Sequence, residues 1–289
     1  MFDIKNIKIA DLTQRHYYGN IFKLQHGVES ISDLNLILDT FSSYRKKDSS
    51  KQIFYRGESK EYMYPGITTF ARYCIKNKII PTPYIPLYDN KHLVSCLTKE
   101  EVKIIEEFKP IAPKNDIFYK FNDRKDRHPD WFAFAQHHDN PTRLLDVTKN
   151  PLVALFFACN SSKNDDGYIF LYFEANSING ENNIDDYEDY FDLAVDNQLV
   201  AYRKAERLGE YFKNHKPITE ITIMPIWLYE SLIWNDRLIA QEGAFLWRYN
   251  PFKTINDGSI IIKIKASKKK SILRELDNIG LNKKKLKLV

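Results

Sequence analysis

The stretch that most constrains this chain lies near its middle. Asn150-Pro151 opens a nearly unbroken apolar run, Leu152-Val153-Ala154-Leu155-Phe156-Phe157-Ala158. Asparagine at an N-cap accepts a hydrogen bond from a free helix N–H, and proline at the first helical position lacks an N–H that would go unpaired anyway. A helix apolar on every side must be buried. Whatever fold the chain adopts is therefore wrapped around residues 150–158. Just before this helix stand Gln136, His137, His138, Thr142, Arg143 and Asp146. A polar cluster is thus predicted at the mouth of a core helix, whose unpaired N–H groups and positive end favour an anion. The same residues also suit an ordinary buried Arg143–Asp146 pair, and both readings stay open.

The chain has 289 residues, 43% hydrophobic and 14% aromatic, enough for a substantial core in one large domain or two small ones. No run of apolar residues is long enough to cross a membrane as a helix. Met1-Phe2-Asp3-Ile4-Lys5 lacks the basic-then-apolar pattern of a signal peptide. Cys74, Cys96 and Cys159 are scattered and show no metal-ligand spacing. A reduced, cytoplasmic, non-membrane protein is expected. The net charge of +5 hides an asymmetry: residues 261–289 hold ten Lys/Arg and two Asp/Glu, a net +8, which leaves −3 for the rest. Lys268-Lys269-Lys270 and Lys283-Lys284-Lys285-Leu286-Lys287 could touch phosphates, or form a solvated helix face and tail. An acidic run, residues 181–196, reads as an exposed insertion.

Period and punctuation give the elements. Helices are predicted over Ser30–Lys46, from a capping box at Thr98-Lys99-Glu100-Glu101, over Asp130–Gln136, over Asn197–Lys213, and over Ser271–Ile279 with Gly280 as the stop. Strands are predicted at Gln52–Tyr55, ending at Arg56-Gly57, and at Gly167–Phe173, Ile221–Ile226, Ala244–Arg248 and Ser259–Ile264. Pro65–Ile67 and Pro81–Pro86 read as irregular. Helices fall mainly in the N-terminal half and strands mainly in the C-terminal half, which implies a single mixed α+β domain rather than βαβ repeats.

Three stretches could carry chemistry. Arg56, at a strand end beside Gly57, could hold a phosphate or carboxylate with two parallel hydrogen bonds, or clamp a loop. His137 and His138 are adjacent and cannot both face one metal. Either one beside Asp146 could serve as a general acid or base. Gln241-Glu242-Gly243, before a strand and after Arg237, could reach a ligand or simply form a turn. The common P-loop, dinucleotide, zinc-protease and serine-hydrolase motifs are absent.

Taken together, these stretches resemble the FRG domain family of bacterial and phage proteins, named for a Phe-Arg-Gly motif that stands here as Phe54-Tyr55-Arg56-Gly57-Glu58. The family's central pattern is similar to Gln136 through Ala158. Two positions where the family has tyrosine and glycine are His138 and Asp139, and a tryptophan is replaced by Val147. Asp139 could therefore sit at positive φ, which aspartate tolerates better than most residues. Arg237 through Phe245 matches a Gln-x-Gly-x-Phe pattern. The resemblance implies an N-terminal helical extension over 1–50 and an FRG domain over 51–289.

The resemblance implies a phage-defence or toxin-like effector. A strand ending in Tyr-Arg-Gly also looks like the first motif of ADP-ribosyltransferases, in which the arginine orients NAD and a later glutamate acts on the ribose. That implies an ADP-ribosyltransferase-like fold, with NAD as substrate and no permanently bound cofactor. Arg56, His137 and Glu242 would be catalytic. Tyr55, Gly57, Gln136, Thr142, Arg143, Asp146, Gln241 and Gly243 would bind the ligand, and no metal is required. Two alternatives stay open: a non-catalytic sensor of a nucleotide, nucleic acid or protein target, and a metal-independent nuclease using His137 and Asp146.

Overall fold

The computed structural model describes residues 13–16, 19–23, 27–45, 53–62, 66–79, 91–112, 129–173, 177–179, 226–230, 236–248 and 260–288. The strands are β1 (Thr13–His16), β2 (Gly19–Lys23), β3 (Ile53–Glu58), β4 (Leu144–Thr148), β5 (Gly167–Phe173), β6 (Ser177–Asn179), β7 (Ile226–Glu230), β8 (Gly243–Arg248) and β9 (Ile260–Ile264). The helices are α1 (Ile31–Arg45), α2 (Thr69–Lys76), α3 (Lys91–Phe108), α4 (Pro129–His137), α5 (Pro151–Asn160), α6 (Asp236–Ala240) and α7 (Lys269–Asn278). Among the described residues the strands form one sheet in the order β1-β2-β9-β5-β3-β4-β8-β7-β6. Its central pairings are antiparallel. The protein is a mixed α+β domain.

Period-two alternation sorts the central strands onto two faces. Ile53, Tyr55, Ile169, Leu171, Ile262 and Ile264 face one way, and the apolar run of α5 lies in the same cluster. Leu34 of α1 and Ile272 and Leu276 of α7 complete that layer. Phe54, Phe170, Tyr172, Leu145, Val147 and Leu246 form a separate cluster on the opposite face. Helix α5 is built as its sequence requires. The Asn150 side chain accepts from the Leu152 N–H at 2.9 Å, Pro151 stands in the first turn, and Val153, Ala154, Leu155, Phe156, Ala158 and Cys159 are buried. Each fully buried Val, Leu or Phe there contributes about 1.5–3 kcal/mol.

The helix lies so close to the sheet that two strand positions must be glycine. A Cβ on Gly57 would stand 1.9 Å from the Ala154 carbonyl oxygen, and one on Gly167 would stand 2.3 Å from that of Ala158. These are backbone atoms and cannot swing aside. At the far end of α5, the buried Lys269 ammonium donates to the carbonyls of Ser59, Ser161 and Ser162. It satisfies carbonyls just beyond the helix end, where a cation also suits the helix dipole. Burial pulls the Lys269 pKa below its ordinary value.

Several expectations are corrected. Thr98 does not start a helix, because α3 already runs from Lys91 and buries Leu97. Glu101, expected to reach back to a cap, is buried and pairs with Arg143 instead. Strand β3 does not end at Arg56-Gly57 but continues to Glu58 along β5. The Leu144–Thr148 segment, for which the sequence suggested no strand, is β4. The first fifty residues contribute β1 and β2 to the sheet as well as α1. The helix expected over 197–213, the acidic run at 181–196 and the segments 81–86 and 221–225 lie outside the described residues.

Candidate functional site

The site forms where the sheet opens. β3 and β4 share one described pair, Tyr55 with Thr148. Beyond it β3 stays with β5 and β4 stays with β8, so their facing backbones part. A cavity of about 380 Å³ occupies this fork. Tyr55, Arg56 and Gly57 line it from β3, and Asp146, Val147 and Thr148 from β4. Thr69 of α2, Gln136 and His137 of α4, Phe157 of α5 and Arg237 of α6 close its walls.

Arg56 bridges the fork. Its Nη1 donates to the Asp146 carbonyl at 2.8 Å, in place of a β-ladder bond. Its Nε donates to Glu58 Oε1 at 3.1 Å. Glu58 is only 3% exposed and also accepts from the Gly66 N–H at 3.2 Å. Burial opposes the Arg56 charge, but Glu58, Asp146 and Tyr172 together hold its pKa above the ordinary value. Arg56 therefore clamps β3 to β4 and also lines the cavity.

A second chain of bonds fixes the Asp146 carboxylate. Buried Thr142 donates its hydroxyl to Gln136 Oε1, and Gln136 Nε2 donates to Asp146 Oδ1 at 2.8 Å. The threonine thereby orients the amide, and the amide orients the acid. Thr142 is itself pinned by Thr69, whose hydroxyl accepts from the Thr142 N–H at 2.9 Å. Asp146 remains exposed, so its second oxygen stays available to a ligand.

His137 ends α4 beside this acid. Burial, followed by the nearby His138 and Arg237, lowers its pKa below 6.5, against a smaller opposing effect of Asp139. At neutral pH it is an uncharged imidazole able to accept a proton. His138 points elsewhere and packs on Phe134, with ring centroids 4.9 Å apart. Asp139 has φ +62°, the left-handed conformation expected where the family pattern has glycine, and it ends the helix.

The remaining candidates separate. Gln241 lines the cavity, while its amide donates to the Leu286 carbonyl at 3.0 Å. Arg143 does not pair with Asp146. Its Nε stands 2.8 Å from both Glu101 oxygens, with both side chains 1% exposed. Glu242 has φ +46° and accepts from Asn150 Nδ2 at 2.7 Å at the start of α5, outside the cavity lining. Gly243 gives room to Leu238, whose Cδ1 would stand 2.6 Å from an added Cβ. Two cavity residues lie outside the sequence-predicted site: Thr69, on the unpredicted helix α2, and Arg237, named only as part of the Gln241 motif. Arg237 had a legible signal: it stands four residues before Gln241, one helical turn away.

Among the described residues no group of three or more His, Cys, Asp or Glu converges as metal ligands. No described helix is long and apolar enough to cross a membrane. A comparison with family models matches residues 51–167 to the FRG domain. The chain carries an FRG domain. No curated protein and no solved structure matches the chain. The FRG match contains both sides of the fork, α2 through α5, and ends at Gly167. The wall built by α6 and β8 lies beyond it and lines the same cavity, through Arg237, Gln241 and Phe245.

Proposed function

We propose that the cavity is a nucleotide site in which NAD, or a nucleotide of the same chemistry, undergoes cleavage or transfer of its ribosyl group. One observation carries this reading: Arg56, the neutral His137 and the amide-held Asp146 carboxylate converge on one cavity of about 380 Å³. That volume lies in the usual range for a small-molecule site. As the bond from ribose C1′ to nicotinamide breaks, its electron pair leaves with nicotinamide and positive charge develops on the sugar. A fixed carboxylate beside that charge stabilises it without reorganising. Water or an acceptor hydroxyl then bonds to C1′ and its proton passes to His137. Asp146 takes the role for which the sequence offered Glu242, because Asp146 lines the cavity and Glu242 does not. Arg56 holds the fork open and lends positive charge. NAD is here a substrate, and a protein or nucleic acid is the acceptor in the transfer version. A role in phage defence or as a toxin follows if the reaction drains NAD or modifies such a target.

Mass spectrometry of nicotinamide released from NAD, with and without cell lysate, tests the reading. Release is expected from the wild type and is expected to fall about 100-fold or more in Asp146→Asn. Absence of release with and without lysate would overturn it.

One further observation favours a second, non-catalytic reading, a nucleic-acid-binding sensor. The C-terminal lysines do not form a loose tail: Leu286 is fully buried and holds exposed Lys283, Lys284, Lys285 and Lys287 on a fixed turn. Binding through these lysines would weaken steeply with salt. Nucleic-acid affinity unchanged in a Lys283→Gln, Lys284→Gln, Lys285→Gln variant would remove this reading.

A further inference from the structure

The cavity has an arginine on each of two walls, and the two are in different states. Arg56 commits Nε to Glu58 and Nη1 to the Asp146 carbonyl, and its side chain is 16% exposed. Arg237, on α6, is exposed and lines the cavity. Among the described residues its side chain has neither a hydrogen bond nor an ion pair. The adjacent acid does not neutralise it: Asp236 lies 3.4 Å from Lys287 Nζ. His137 lines the same cavity, and its proton affinity is lowered by burial, then by His138 and by the Arg237 charge. The cavity therefore holds both an unpaired cation and an imidazole. The carboxylate held by Gln136 belongs to the strand-fork side of the same cavity.

We propose that Arg237 and His137 form a phosphate subsite. The ligand, a 5′-phosphorylated nucleotide, lies with its phosphate against α6 and its sugar toward Asp146. This rests on the reading of the cavity as a nucleotide site, and it adds the direction in which the ligand lies. A guanidinium offers two parallel N–H donors to phosphate oxygens. Neutral His137 donates its one ring N–H to the phosphate and keeps the other ring nitrogen as an acceptor. Asp146 repels a phosphate and attracts a developing sugar cation, so the charges themselves fix the polarity. Asp139, just beyond α4, also lines the cavity and acts on His137, and its carboxylate opposes the anion that Arg237 attracts. Arg56, already bonded, is a positioning residue for β3 and β4.

The test uses the full chain and does not depend on turnover. The His137 imidazole, assigned by comparison with His137→Gln, is followed by NMR as inorganic phosphate is added. The affinities of adenosine and adenosine 5′-monophosphate are then compared by calorimetry. In the wild type, phosphate is expected to raise the His137 pKa. The monophosphate is expected to bind about 10- to 100-fold more tightly than adenosine, as charge-assisted hydrogen bonds imply. Arg237→Gln should abolish the phosphate-induced shift and bring the two affinities together, and Arg237→Lys should restore part of the difference. Circular dichroism matching the wild type shows that the variants are folded. A preference for the monophosphate retained in Arg237→Gln would overturn the proposal, and so would no preference in the wild type. Failure of NAD cleavage alone would leave this subsite standing.

Discussion

Replacing Arg143 by methionine would leave the Glu101 carboxylate buried without its partner. Both side chains are 1% exposed, and the guanidinium Nε lies 2.8 Å from each carboxylate oxygen. Removing one member of such a pair costs about 3–5 kcal/mol, because the remaining charge keeps its desolvation penalty and loses its compensation. At about 2–4 °C per kcal/mol for a chain of this size class, the Tm should fall by roughly 6–20 °C. The reverse holds when both charges go. Arg143→Met combined with Glu101→Leu fills the space with apolar atoms and should recover most of the loss, since buried pairs replaced by well-packed apolar residues are often neutral. Urea melts of the two single variants and the double variant measure the coupling directly. A loss below about 1 kcal/mol in Arg143→Met would refute the reasoning. So would a double variant no more stable than the singles. A ligand-binding Arg143 predicts a different pattern, with lost affinity and little lost stability.

Other outcomes follow from the same geometry. Gly57→Ala should destabilise by roughly 3 kcal/mol or more, since its Cβ meets the α5 backbone rather than a movable side chain; thermal melts check this, and near-wild-type stability would contradict the close approach. Arg56→Ala should cost roughly 2–4 kcal/mol by stranding Glu58, so its loss of activity must be read beside its stability. His137 has a folded pKa below the unfolded 6.5, so the unfolded chain binds the proton more readily. Its contribution to stability is present above pH 6.5 and is lost as pH falls toward the folded value. His137→Gln should flatten that acid limb in melts taken between pH 7 and 5. If His137 accepts the proton in turnover, kcat/KM should rise with pH through the depressed pKa of the ligand-free protein.

Much of the site was legible because its local physics is strong. Asn150-Pro151 fixed the start of α5, and the unbroken apolar run fixed its burial. Gly280, with φ +82°, follows α7 where a helix stop was expected. Asp139, at a position where the family pattern has glycine, takes the positive φ open to it. What could not be read were long-range choices. The sequence offers Arg143 its near neighbour Asp146 as a partner, whereas its partner is Glu101, 42 positions away on α3. The sequence suggested no strand at Leu144–Thr148. Its polar residues Asp146 and Thr148 line the cavity. Glu242 stands late enough in the chain for the glutamate that the ADP-ribosyltransferase likeness implies, yet its backbone is left-handed and its carboxylate accepts from Asn150. Thr69 and Arg237 entered the cavity through the meeting of elements from distant parts of the chain.

The central claim is that the fork between β3 and β4 is a site for ribosyl chemistry on NAD. It is tested most directly by nicotinamide release from wild type and Asp146→Asn at matched Tm, with and without lysate. The account predicts release by the wild type, and a fall of about 100-fold or more when the charge of Asp146 is removed while its shape is kept. Equal release by both proteins, or none by the wild type under either condition, would contradict it.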